Sequence, residues 1–214
     1  DIFLHYFQSP APEMGGETGD RAEPGERLYR ELNAGSCAEV LESLKPFGGK
    51  TAAWEADLSD PAVIPDLFDQ AEKALGGVDI LINNAAAWTA DSLIPPGFSL
   101  PNPLVEEWTD RPAQVTAGSV GANFNVNARA VVLLMAEFLN RQIAAGKEWG
   151  RIINISTDGA HCFPSEISYG ASKLALEGYS RSAAVELGQF GITVNVISPG
   201  PTQTGWITPA LEQK

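Results

Sequence analysis

Apolar runs and helical patterns alternate along most of this 214-residue chain, and that alternation limits the fold more than any other feature. The strand candidates are 2–7 IFLHYF, 51–56 TAAWEA, 78–83 VDILIN, 151–156 RIINIS and 192–197 ITVNVI. Several are apolar at nearly every position, as strands covered on both faces should be. Helical segments are predicted at 24–45, 61–75, 117–146 and 169–188. Asp60 before Pro61 reads as an N-cap with proline at the first helical position. Gly76-Gly77 and Gly191 end helices just before strands. The repetition predicts a parallel sheet with helices on both sides, and right-handed crossovers make it a doubly wound α/β fold in three layers. One domain is expected over 1–214, without repeat or linker.

Two segments are longer than such a fold needs. Residues 8–20, QSPAPEMGGETGD, are rich in Pro, Gly and acid and are expected to be solvated. Residues 89–112 carry several prolines among apolar residues and follow strand 78–83 at the carboxyl edge, where open α/β sheets bind ligands. The chain starts with Asp1 on a strand-like run and stops soon after another strand, so both ends are expected to cut through a larger unit.

The formal net charge of −13, with no run of Lys and Arg, disfavours nucleic acid as a partner. No apolar stretch reaches the roughly 18–20 residues of a membrane span, so no membrane partner is expected. Cys37 and Cys162 lie far apart without metal-ligand spacing. They are predicted to be free thiols of a reducing compartment, the cytoplasm, and no metal is expected.

Within SYGASKLALEGY, Tyr169 and Lys173 stand four positions apart and share one helical face. A tyrosine with a pKa near 10 is a poor proton carrier at neutrality. An ammonium roughly 4 Å away favours the phenolate by about 4 kcal/mol at an effective dielectric of about 20. After desolvation, a pKa lowered by about one to three brings the phenol towards general acid–base work. The spacing alone is common on helices; its company decides.

Five motifs supply that company. YGASK holds Tyr-x-x-x-Lys, INNAAA (82–87) follows the third strand candidate, and ADLSD (56–60) makes an acidic turn after the second. NVNARA (125–130) places an asparagine in the long helix, and SPGPTQT (198–204) follows the last strand. In this order the chain resembles the short-chain dehydrogenase/reductase family, with Ala86 where the family usually has glycine. The resemblance implies a Rossmann-like fold and an NAD(P)-dependent oxidoreductase interconverting a carbonyl and a secondary alcohol. A small-molecule substrate and a homo-oligomer, dimer or tetramer, packed through helices 117–146 and 169–188 are implied as well. The rival expectations are a non-catalytic dinucleotide-binding or scaffold protein of the same fold, and an inactive fragment.

Carried over by motif, Tyr169 moves the proton, and Lys173 lowers its pKa and holds the nicotinamide ribose. Asn127 kinks its helix and holds a proton-relay water; Asn125 is a nearby decoy. The hydroxyl that orients the substrate oxygen is Ser156, thirteen positions before Tyr169, or Thr157, with Ser156 favoured. Asp57 and Leu58 are expected to face the adenine, and Asn83 and Ala85 the adenosine ribose, although Asn83 could instead tie adjacent strands. Pro199, Gly200, Thr202 and Thr204 are expected to close over the carboxamide and diphosphate. His161, Trp88 and Trp206 are candidates to wall the substrate pocket, while His5 reads as a packed strand residue.

One family signature is missing, the glycine-rich turn after the first strand. TGDRAEPG (18–25) imitates it, but Glu23 replaces the middle glycine and neighbouring acids would repel a diphosphate. The run DIFLHYF is therefore read as the family's second strand, with a first βα unit of roughly 30 residues absent. Its end, His5-Tyr6-Phe7-Gln8-Ser9, lacks the acid that holds a ribose 2′-hydroxyl, which favours NADP over NAD. The substrate itself is not legible.

Overall fold

The computed structural model describes residues 1–8, 37–100, 112–202 and 207. The imitation turn at 18–25, most of predicted loop 8–20, Thr204 and Trp206 lie outside these residues. Strand β1 (Ile2–Tyr6) is followed among them by helix α1 (Ala38–Leu44), all that is described of the helix expected at 24–45. Then come β2 (Thr51–Glu55), α2 (Val63–Leu75), β3 (Ile80–Asn83), β4 (Asp91–Ser92) and β5 (Ala113–Gln114). Helices α3 (Ala117–Phe124) and α4 (Val131–Ala144) are joined by a π-helical turn, Asn125–Ala130. Strand β6 (Gly150–Ile155), helix α5 (Ile167–Leu187) and strand β7 (Ile192–Ile197) complete the order.

Every strand pair is parallel, as the alternation predicts. The parallel strands form two ladders, β1–β2 and β3–β6–β7, with no described strand between them. The fold is thus an incomplete three-layer, Rossmann-like α/β architecture. A difference also lies in the predicted loop 89–112, which holds β4, paired with β5 just beyond the loop. Helix α2 begins at Val63, with Ala62 as N-cap. Asp60 still caps, but one turn earlier: its carboxylate accepts the Ala62 N–H at 2.9 Å, and Pro61 sits in a turn ahead of the helix.

The main core lies between β3–β6–β7 and helices α2, α4 and α5. Ile64, Leu67, Phe68 and Ala71 make the apolar stripe of α2 at helical spacing. They meet Val131, Leu134, Met135 and Phe138 of α4, and Ile152 of β6. Phe138 and Ile152 are completely buried, each side chain contributing about 1.5–3 kcal/mol by leaving water. Alternation along β3 sends Leu81 into this core and leaves Ile80 and Ile82 about half exposed on the other face. Arg141 of α4 grips Asp69 and Glu72 of α2, fastening the two helices at their surface.

Two glycines are needed where they stand. A Cβ on Gly150 would lie 3.0 Å from the Phe138 ring and 3.1 Å from Ile192, so β6 and β7 approach α4 closely there. Gly191 turns the chain into β7 with φ +70, and a Cβ would sit 2.0 Å from Glu148 O. His5 is half-buried with Nε2 2.7 Å from Ala56 O, and burial lowers its pKa.

Candidate active site

The site collects where strands β2, β3, β6 and β7 end. Helix α5 starts with no side-chain cap from its own N-cap residue, Glu166. Asp91, completely buried on β4, caps it from a distance, accepting Ser168 N–H at 2.9 Å and Ser168 Oγ at 2.5 Å. Its second oxygen also accepts Ser119 Oγ at 2.7 Å, so one carboxylate ties the starts of α3 and α5 together. An anion there satisfies an orphan N–H at the positive end of the helix.

One turn further, Tyr169 and Lys173 share a face. Lys173 is 2% exposed, and its ammonium donates to Ile155 O, the end of β6, at 2.8 Å. Burial lowers the Lys173 pKa to about 8. Its Nζ stands 5.9 Å from the centre of the Tyr169 ring. Phe163 meets that ring edge-on at 6.0 Å. The close fit depends on Gly170, where a Cβ would come within 2.8 Å of Phe163 Cβ.

Asn127 sits in the π-helical turn, completely buried. The kink that the family resemblance implies for this asparagine is here a π bulge, a common feature of functional helices. Asn127 Oδ1 accepts Ala87 N–H at 2.8 Å, while Nδ2 donates to Ala87 O at 2.8 Å and to Ser172 Oγ at 3.0 Å. It therefore locks the loop after β3 to helix α5. Asn125 stands half-buried at the start of the same turn.

The two candidate hydroxyls differ. Ser156 is 4% exposed and donates to Glu177 Oε1 at 2.8 Å. Thr157, one residue on, is half-buried at the head of the next loop and accepts Gly159 N–H at 3.3 Å. Its hydroxyl lies 3.4 Å from Asp158 Oδ1.

Asp57 folds back on its own turn, accepting Ser59 N–H and Ser59 Oγ at 2.8 Å each, and Leu58 is buried beneath it. Asn83 donates to Asn154 Oδ1 at 2.7 Å, tying β3 to β6, and Asn154 continues to Ser180 Oγ at 2.7 Å. Ala85 is exposed. Pro199 O accepts Asp158 N–H at 3.1 Å, and Thr202 Oγ donates to Gly200 O at 3.2 Å, so the turn after β7 lies against the turn after β6. His161 is exposed.

Asp91, Glu166 and Glu177 escaped the sequence reading. Glu166 accepts Trp88 Nε1 at 2.5 Å, and burial raises its pKa while the indole bond opposes the rise. Partners 77, 78 and 21 positions away hold these acids, and no local spacing announces them.

The described residues suit part of a nicotinamide dinucleotide. A buried ammonium with one of its three N–H groups on Ile155 O, beside a half-buried phenol, is a donor set for ribose hydroxyls. Residues 84–86, after β3, are exposed.

Comparison with known proteins agrees. A family model described as short chain dehydrogenase matches residues 28–214. The uncharacterized oxidoreductase YjdA of Bacillus subtilis is 32% identical over 175 residues, 81% of this chain and 62% of that protein. The tetrahydroxynaphthalene reductase PfmaG of Pestalotiopsis fici is 32% identical, over 80% of this chain and 54% of its own length. The 3-oxoacyl-[acyl-carrier-protein] reductase FabG of Buchnera aphidicola is 35% identical over 74% and 56% respectively. This chain thus spans 54% to 62% of the length of these relatives. A solved structure of NAD+-bound xylitol dehydrogenase shares the fold, with a TM-score of 0.60 and 21% identity over 76% of this chain and 55% of the other. On its motifs, its fold and the family model together, the chain belongs to the short-chain dehydrogenase family.

Proposed function

We propose that this chain carries the catalytic residues of an NAD(P)-dependent oxidoreductase that interconverts a carbonyl and a secondary alcohol. The observation that carries this reading is the buried Lys173 ammonium, anchored on Ile155 O and one helical turn from Tyr169. When bound, the nicotinamide dinucleotide supplies or accepts the hydride. Tyr169 gives its hydroxyl proton to the carbonyl oxygen during reduction and takes it back during oxidation. Lys173 favours the phenolate that is left and offers its remaining N–H groups to ribose hydroxyls. Asn127 keeps the loop at Ala87 in place beside them.

Thr157 is the better candidate to hydrogen-bond the substrate oxygen, because Ser156 already serves Glu177. Asp57, Leu58, Asn83 and Ala85 take the adenosine side, and Pro199, Gly200 and Thr202 the carboxamide side. NADP is favoured over NAD by the lack of an acid at the end of β1. The substrate is a small molecule. A homo-oligomer is supported by exposed apolar residues on the long helices, among them Leu133, Leu174 and Val185.

Replacing Tyr169 by Phe tests the mechanism. Carbonyl reduction should fall at least about 100-fold, the low end of what a positioned acid supplies, with cofactor affinity kept. Unchanged turnover would eliminate the assignment.

A further inference from the structure

Glu166 is a buried acid held between two loops of the site. Its carboxylate accepts Trp88 Nε1 at 2.5 Å, which ties the loop after β3 to the start of α5. Its backbone N–H bonds Phe163 O at 3.1 Å, and the Phe163 ring meets Tyr169 edge-on. Glu166 stands three positions before Tyr169, one turn away at the head of the same helix. Trp88 follows Ala87, whose backbone Asn127 holds at both ends. The carboxylate therefore stands beside Tyr169 and Lys173, past the ends of β3 and β6, where open α/β sheets bind ligands.

Glu166 is 6% exposed, yet among the described residues only its Oε2 finds a partner. Ser165, next to it, takes φ +70, and its buried hydroxyl has no partner among the described residues. Buried polar groups are normally satisfied, so this turn holds two that are short of one. An acceptor kept in the wall of a site selects a donor. A ligand without a donor leaves the acceptor unpaired, and a ligand carrying its own carboxylate is repelled. Burial raises the Glu166 pKa, and the same desolvation penalises an incoming ammonium more than an alcohol.

Resting on the oxidoreductase reading above, we propose that Glu166 determines specificity by accepting a hydrogen bond from a hydroxyl close to the substrate's carbonyl, so that the substrate class is hydroxyketones. Trp88 fixes Oε2 and leaves Oε1 for that hydroxyl. Tyr169 serves the carbonyl oxygen, and the hydroxyl itself is not oxidised.

The test offers the protein, with NADPH, two matched pairs: hydroxyacetone against acetone and erythrulose against butanone. Aminoacetone and pyruvate are the charged controls. Within each pair kcat/KM should favour the hydroxylated ketone at least about tenfold, the low end for a hydrogen bond to a charged group. Both charged controls should fall below hydroxyacetone. Glu166→Leu should erase the preference by lowering kcat/KM for the hydroxyketones alone. Glu166→Gln, which keeps the shape and one acceptor oxygen, should shrink it and serves if the leucine variant does not fold. Tyr169→Phe should instead slow both members of a pair alike. Equal kcat/KM within the pairs, a preference that survives in both Glu166 variants, or a preference for aminoacetone would each overturn the Glu166 assignment and leave the oxidoreductase reading standing. Reduction of none of these ketones would overturn both.

Discussion

Asn127 holds the backbone of Ala87 with both ends of its amide, accepting the N–H and donating to the C=O at 2.8 Å each. One side chain on a helical bulge thus fixes the loop that leaves β3. Asn127→Leu strands both backbone groups of Ala87, costing about 2–4 kcal/mol. The melting temperature should fall by about 5–15 °C, read by thermal unfolding. Cofactor turnover should fall as well at temperatures where the variant is folded.

Ser156 and Thr157 can be separated by substitution. Thr157→Val should lower turnover about 100-fold with little loss of stability. Ser156→Ala should cost about 1–3 kcal/mol in urea unfolding, because Glu177 loses a buried donor, with a smaller effect on turnover. The reverse pattern would return the substrate-orienting role to Ser156.

Lys173 makes stability depend on pH at the alkaline end. Burial lowers its folded pKa to about 8 from 10.5, so between those values the unfolded chain binds more protons. Stability should therefore rise with pH across that window, by on the order of 3 kcal/mol from this group. Urea unfolding at several alkaline pH values checks this, and Lys173→Met should flatten the difference.

Asp91 caps α5 across 77 positions of sequence. Asp91→Ala leaves Ser168 N–H and Ser168 Oγ short of an acceptor and should cost about 2–4 kcal/mol. Asp91→Asn keeps one acceptor oxygen and should lose roughly half as much. Hydrogen exchange in the first turn of α5 should quicken in both.

The sequence by itself determined the parallel α/β architecture, because apolar runs and amphipathic spacing are written locally. It also determined the pairing of Tyr169 with Lys173, since helical geometry puts positions four apart on one face. The end of α2 at Gly76, in the left-handed conformation, was likewise legible. Only tertiary structure decided which groups meet across the chain. Asp91 reaches Ser168, Glu166 reaches Trp88, and Glu177 claims the hydroxyl of Ser156, none of which spacing could reveal. A strand's pattern tells that it will be buried, but its partners are set by hydrogen-bond register between segments distant in sequence.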